Sequence, residues 1–579
     1  DIGAALIGPT LKGPAGVPTV VTSYSDFQAK FGDVVKSGST SVQFLTSHTA
    51  EEYLKNSNTL TVVRILDGTF APATAEITSS AELGTSFTLE TLADGAIMNN
   101  QHTMSIASTN SILPSGSKHN VRYEVSNVSN AKGTFTVSIR AGNDNQKRKQ
   151  ILESFSGVNL DPNSPNYIAK AIGDQKQNVA SDGTTKYLQL SGSYRNKSRY
   201  VRVKSVNLPT IDYLDENGSV QTAFQNGKNV SGSLPLAGSG SNNGGFIGAT
   251  NGVSGFDSLG NFVSSSANGA PHQVLFYDEI STQTQGFFPQ TAGARGQDAY
   301  LQALNLIANQ DEYDVNLILL PGIIHNLHST VSNKAIDVCE DRGDCFAIID
   351  PVEYGKNPSH AVTEAEKVDS NFAAMYYPWV KVPDSQIAGT QRWVPPSVVL
   401  GGIYAFNDKV AHPWFAPAGL NRGGITTAIQ AQRKLTQGER DTLYDSNVNP
   451  IATFPGQGVT VFGQKTLQKK PTALDRINVR RLLIRVKKFI ASSSRFLVFE
   501  QNTAATRQRF LNIVNPFLDQ VQSQSGLSAF RVVMDGTNNT ADSIDRNQLV
   551  GQLFLQPTRT AEFIVLDFTI QPTGASFPE

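Results

Sequence analysis

The residues of this chain with the clearest capacity for chemistry are cations. Between positions 476 and 488 the run RINVRRLLIRVKK carries Arg476, Arg480, Arg481, Arg485, Lys487 and Lys488, with Asp475 the only acid nearby. Side chains three and four apart share one side of a helix, so this spacing builds a basic face. Val479, Leu482, Leu483, Val486 and Phe489 or Ile490 recur at the same period and build an apolar stripe. The stripe needs a core, and the basic face needs either water or an acidic partner. As a solvated face it needs nothing further. As a nucleic-acid site it lacks interleaved exposed aromatics, and the chain around it is neutral, with 48 Lys and Arg against 49 Asp and Glu. The third reading is a face that docks another protein.

Other candidates are weaker. His325 and His328 stand three apart in HNLH and could share a metal with a carboxylate, but no third ligand is spaced to help. They read as two solvated histidines on a loop. Asp350 and Glu353 follow a strand end, where ligands of α/β sheets often bind, but beside Pro351 they read as turn formers. Gly8 to Gly13 has the spacing of a phosphate loop, yet Pro14 stands where the lysine must be, so no side chain can reach a terminal phosphate. The sequence has no GxSxG, HExxH or paired CxxC motif. Cys339 and Cys345 are the only cysteines; they are no disulfide framework, suit a reducing compartment and read as small apolar side chains. No catalytic, cofactor or metal site is expected.

The elements that must carry these residues follow from the pattern. At 579 residues the chain has room for three or four domains. Ala4–Ile7 and Thr59–Ile65 read as strands, with a helix near Ser25–Phe31 ended by Gly32. From 75 to 205, runs such as Phe135, Val137 and Ile139 alternating with Thr and Ser predict an inserted, mostly antiparallel β-domain. Within it Lys149–Phe155 reads as a helix ending in the Pro-rich turn of 160–167. The cluster Gly238–Gly245 reads as a flexible loop. From 291 the elements alternate. A helical stripe at Tyr300–Ala308 precedes a strand at 315–320 closed by Pro321-Gly322, a helix near 331–340 and a strand at 345–350, a βαβ unit. A helix near 361–370 and a strand at 372–376 extend the sheet, and Pro395-Pro396 starts a further helix. Thr436 and Glu439 form a capping box. The helical stripe Phe510–Val521 contains Pro516, which breaks, kinks or re-caps it. Ala561–Gln571 is strongly β in character, so it is either an edge needing cover or an arm completing another chain's sheet. No apolar run is long enough to span a membrane.

Several short motifs then fall in one order. They are A.L.G…KGPA..P..V.S..DF...FG near the start, P…APAG..RG at 412–423, NPI..FPG.G..V.GQ.TL…DRINVRRLL from 449, and Phe496-Leu-Val-Phe-Glu500. This ordered set closely resembles contractile-tail sheath proteins, in particular those of large T-even-like phages; the segments 149–155 and 160–167 also resemble a recurring sheath segment. The resemblance implies a multidomain α/β and α+β chain. Residues 1–74 and 206–290 would form a discontinuous middle domain, 75–205 an outward-facing insertion, and 291–579 a C-terminal α/β core with a mixed sheet and a terminal strand arm. It implies a structural subunit, not an enzyme, that assembles as stacked hexameric rings around a tail tube and contracts to drive that tube through the host envelope. The expected partners are further copies of the chain, the tube protein, and baseplate and tail terminator proteins, with no direct nucleic acid, no membrane insertion and no cofactor. The expected location is the virion tail, assembled in the bacterial host cytoplasm. In the family the C-terminal domain lies innermost and meets the tube through charged groups. Docking of Arg476, Arg480, Arg481, Arg485, Lys487 and Lys488 onto the tube or an adjacent subunit therefore stands beside the solvated reading. Phe563, Val565, Asp567 and Thr569 would lie on the arm that pairs with a neighbour. A family arm ahead of the first motif is absent or unnumbered here. The alternatives are the sheath of another contractile injection system, an α/β enzyme on the 315–376 sheet, and a capsid or tube protein.

Overall fold

The alternation of small and branched apolar residues near the start of the chain sets the architecture. In Gly3–Gly8, Ala4 and Leu6 point to one apolar cluster and Ala5 and Ile7 to another, so this strand is covered on both faces. It lies within an eight-stranded sheet whose order is 19–21, 60–64, 3–8, 315–324, 346–350, 373–377, 448–454 and 458–461. The six inner strands run parallel, and the two edge strands, 19–21 and 458–461, run antiparallel to their neighbours. The computed structural model describes residues 3–37, 40–66, 69–80, 84–94, 118–183, 185–227, 234–242, 246–247, 285, 287, 289, 296–386 and 388–562.

Helices cover both faces. Gln297–Ile307, His325–Arg342 and Pro358–Ala365 pack on the Ala5 side; Tyr24–Phe31, Leu45–Leu54, Pro396–Val410 and the start of Ile477–Ser494 pack on the Leu6 side. Pro396 opens its helix, and the Thr436–Glu439 capping box is formed on both sides. The sheet crosses the boundary drawn at 291. Strands 3–8 and 60–64 pair directly or in series with 315–324, so the first 66 residues and the C-terminal region share one core.

The described strands between 72 and 241 form antiparallel sheets. One orders strands 151–158, 134–141, 121–129 and 238–241, another 201–206, 85–94 and 72–78, and a hairpin joins 176–182 to 185–191. Phe87, Leu89, Phe135, Val137, Ile139 and Val201 belong to a cluster shared by the first two of these sheets. Two expectations change here. Ile151–Val158 is a strand, not a helix, because it pairs along its length with 134–141 and alternates in exposure as an edge strand does. Gly238–Ser241 is likewise a strand, paired with 121–129; a side chain at Gly240 would put a β-carbon 2.5 Å from the Tyr123 hydroxyl, so glycine permits the close approach.

One further element departs from the local reading, and another narrows its alternatives. The 315–324 strand runs through Pro321-Gly322 with a register irregularity instead of stopping there. Ala504–Ser523 is one continuous helix with Pro516 inside it. Pro516 and Asn512 lie on the exposed side, so the carbonyl left without its helical donor faces water while Phe510, Val514, Leu518 and Val521 keep the buried stripe. Among the described residues no helix is long and apolar enough to cross a membrane.

Candidate basic groove around the Ile477–Ser494 helix

The basic helix is bolted into the molecule. Its apolar stripe divides between two cores: Ile477 and Ile484 enter the cluster under the central sheet, and Leu482 and Val486 pack with Phe510, Val514 and Leu518 of the next helix. Phe489 stacks on Phe517 with ring centroids 3.8 Å apart. Packing on two sides leaves little of the circumference for a free charged face, so the cations are drawn into the protein with their partners.

Arg481 is 6% exposed; its Nη2 meets Asp408 Oδ2 at 2.6 Å and its guanidinium lies 4.8 Å from the Tyr404 ring centroid. Burial alone would lower its pKa, but the Asp408 carboxylate outweighs that and raises it. Arg480 is 8% exposed, packed 3.9 Å over the Phe372 ring and hydrogen-bonded to Asn371 Oδ1 at 3.3 Å; burial pushes it down to about 10. Arg476 holds Glu562 with two hydrogen bonds, 2.7 and 3.0 Å, and pairs with Asp475 at 3.0 Å. Lys488 meets Asp314 at 2.5 Å and Asp344 at 3.4 Å, and Lys487 donates to the Arg342 carbonyl at 2.8 Å. Arg485 is exposed and makes no hydrogen bond or ion pair among the described residues. Five of the six cations expected on a docking face are therefore committed within the chain, and Arg480 and Arg481 are largely buried.

The remaining positive field gathers along one groove of about 840 Å³. Arg481, Arg485 and Lys488 line one wall, Lys409 and His412 the end of the Pro396–Val410 helix, and Lys55 the end of the Leu45–Leu54 helix. Asp408 is the single acid on its lining; Trp414, Phe489 and Phe517 supply an apolar floor. Lys55 also pairs with Glu52 at 2.7 Å, whereas Lys409 makes no such bond among the described residues. A groove of this composition attracts an acidic or mixed acidic and apolar surface. Lys55 and Lys409 were missed in the sequence because only the fold brings them beside Arg485.

The root of the C-terminal segment is fixed beside this helix. Glu562 accepts from Arg476 and from Gln464 Nε2 at 3.1 Å, and those bonds with Tyr444 hold its carboxyl below the usual range although burial pushes it up. Phe563, Val565, Asp567 and Thr569, the expected strand arm, lie outside the described residues.

The other sequence candidates are structural. His325 and His328 are not solvated: they are 3% and 0% exposed in the first turns of their helix, His325 Nδ1 lying 2.8 Å from Ser332 Oγ and His328 Nδ1 accepting from Ile324 N–H at 3.1 Å. Asp350 is no turn former; it reaches the Pro396–Val410 helix and accepts from Ser397 N and Oγ at 2.9 and 2.5 Å. Glu353 bonds Asn326 at 2.8 Å and Lys356 at 3.1 Å. Among the described residues no three His, Cys, Asp or Glu side chains gather as a metal site would require.

Comparison with known proteins accounts for a scaffold of this kind. Residues 293–467 match the family model of the phage tail sheath protein central domain, and residues 469–571 match the phage tail sheath C-terminal domain. The tail sheath protein of Vibrio phage KVP40 is 32% identical over 313 residues, covering 49% of this chain and 46% of that protein. The tail sheath protein of Enterobacteria phage T4 is 31% identical over 303 residues, covering 48% of this chain and 45% of that protein. The aligned part thus spans about half the length of the curated relatives it matches. A crystal structure of a sheath tail protein from Listeria innocua aligns over 93% of this chain and 89% of that one, with a TM-score of 0.50 at 11% identity, a likeness of fold alone.

Proposed function

We propose that this chain, whose residues 293–467 and 469–571 match the central and C-terminal domains of phage tail sheath proteins, is a structural subunit of a contractile phage tail sheath. Copies would stack as hexameric rings around a tail tube and re-seat when a baseplate triggers contraction, driving the tube through the host envelope. The observation that carries the reading is the consecutive match of two sheath domains across 293–571, which takes in the central-sheet strands from 315 to 461 and the basic helix. A subunit that re-seats must move as a rigid body, and the single sheet joining residues 3–66 to 315–461 supplies such a body.

The finer assignments follow from the same premise. The antiparallel sheets of 72–241 form the outward-facing insertion. The segment beyond Glu562 is the arm that pairs with a neighbouring subunit, and the Arg476–Glu562 clamp fixes its root. The groove rim of Lys55, Lys409 and Arg485 faces the tube or an adjacent subunit, where charged contacts can break and re-form without exposing large apolar patches. The assembled particle is a virion tail built in the bacterial cytoplasm, with tube, baseplate and terminator proteins as partners.

Negative-stain electron microscopy of the purified protein, with and without tube protein and at low and high salt, tests this. Hollow striated tubes of uniform width support a sheath. Compact monomers under every condition, tube protein included, would sink the reading.

A further inference from the structure

We propose that Cys339 and Cys345 are a redox site: they close into an intramolecular disulfide that locks the turn on which the basic helix is anchored. The proposal stands independently of the sheath reading. The two sulfurs lie 3.2 Å apart and both residues are fully buried. A bond needs about 2.05 Å, so the sulfurs must close by only about 1 Å.

The approach is built by the backbone. The His325–Arg342 helix ends at Gly343, whose φ of 63° is the left-handed conformation glycine adopts freely, and whose N–H donates to the Cys339 carbonyl at 2.8 Å. The chain turns back there and enters the Phe346–Asp350 strand immediately after Cys345, which sets position 345 against position 339. These being the only cysteines of the chain, each has one possible intramolecular partner.

The residues between them hold the basic helix. Arg342 donates to the carbonyls of Tyr313, at 2.8 Å, and Ile307, and its Nε meets Asp344 at 2.8 Å. The Arg342 carbonyl accepts from Lys487 and the Asp344 carboxylate pairs with Lys488. A covalent link between residues 339 and 345 would hold the two ends of this turn together, and with them the Arg342 carbonyl and Asp344 carboxylate that Lys487 and Lys488 grip.

The step needs an acceptor of electrons, and a low-molecular-weight disulfide such as oxidised glutathione serves. One cysteine thiolate attacks a sulfur of that disulfide, forms a mixed disulfide and expels one small thiolate. The second cysteine thiolate attacks the protein sulfur and expels the other. Two protein thiols become one disulfide, and one small disulfide becomes two small thiols. Burial, with the Cys345 sulfur beside it, pushes the Cys339 thiol well up, so exchange in the closed protein is slow and needs the turn to open.

The test uses the full chain. It is incubated with oxidised glutathione, quenched with acid, unfolded, alkylated and digested with trypsin, which cuts after Arg342 between the two cysteines. We expect the peptides carrying Cys339 and Cys345 to be joined until reductant is added, the joining to be at least several-fold faster in sub-denaturing urea, and the thermal midpoint to rise by a few degrees. A Cys345→Ala variant should show no midpoint shift with oxidant. Alkylation of both cysteines after full exposure, a lasting glutathione adduct on one of them, or crosslinks only between chains would overturn the proposal.

Discussion

Replacing Asp350 by asparagine should remove a pH dependence that the wild-type fold carries. Asp350 ends the Phe346–Asp350 strand, is 1% exposed, and accepts from Ser397 N and Oγ at the start of the Pro396–Val410 helix. The residue before that helix is Pro395, which has no side-chain oxygen, so Asp350 supplies from another element the acceptor that a cap normally provides. Burial pushes its carboxyl from the ordinary 3.8 up to about 7, and the Ser397 bonds pull it back only in part. The folded state thus binds this proton more tightly than the unfolded state. The stability it contributes is fully present below about pH 4 and is lost as pH rises through about 7. A shift of about three units at 1.36 kcal/mol each amounts to about 4 kcal/mol, of which roughly 2–3 kcal/mol falls between pH 5 and 8. Asp350→Asn keeps an acceptor for the Ser397 N–H and never carries charge. Urea unfolding of both proteins, followed by tryptophan emission, reads this directly, because Trp379 donates to the Val352 carbonyl two residues past Asp350. The stability gap between variant and wild type should widen in the variant's favour by roughly 2–3 kcal/mol from pH 5 to 8, and all other titrating groups cancel in that difference. A gap that stays constant across this range would refute the reasoning.

Three more expectations follow from the groove and its supports. Asp408→Ala leaves the buried Arg481 guanidinium without its carboxylate and should cost about 2–3 kcal/mol, whereas the pair-removing Asp408→Ala, Arg481→Met double variant should recover most of that; equal losses in both would show the ion pair is not the cause. Arg476→Ala frees Glu562, so limited proteolysis should clip the chain beyond 562 several-fold faster while the thermal midpoint of the core hardly moves; an unchanged cleavage rate counts against the clamp. Arg485→Glu touches an exposed side chain without a partner among the described residues and should change stability by less than about 0.5 kcal/mol. The same variant should weaken co-sedimentation with tube protein at low salt far more than at high salt, and unaltered binding would remove this face from the interface.

What the sequence by itself determined is whatever repeats within a few residues. Helix and strand periods, Pro396 at a helix start, the Thr436–Glu439 box and the βαβ succession from 315 to 350 were all legible, because each is written in backbone hydrogen bonds and side-chain spacing of neighbours. The amphipathic pattern of 476–488 was legible for the same reason. What its cations do was not. Arg481 finds Asp408 at 73 positions' distance, Arg476 finds Glu562 at 86, and Lys488 finds Asp314 at 174. No local window contains both members of such a pair, so a basic face looked free whose cations, Arg485 apart, the fold had already engaged. His325 and His328 read as solvated for want of a third ligand, but packing buried them beside Ser332 and the Ile324 amide. Gly238–Ser241 and Ile151–Val158 became strands because partners at 121–129 and 134–141 claimed their backbones, overriding local propensity. Only tertiary structure could decide these matters, since burial and partner choice are properties of surfaces brought together from distant parts of the chain.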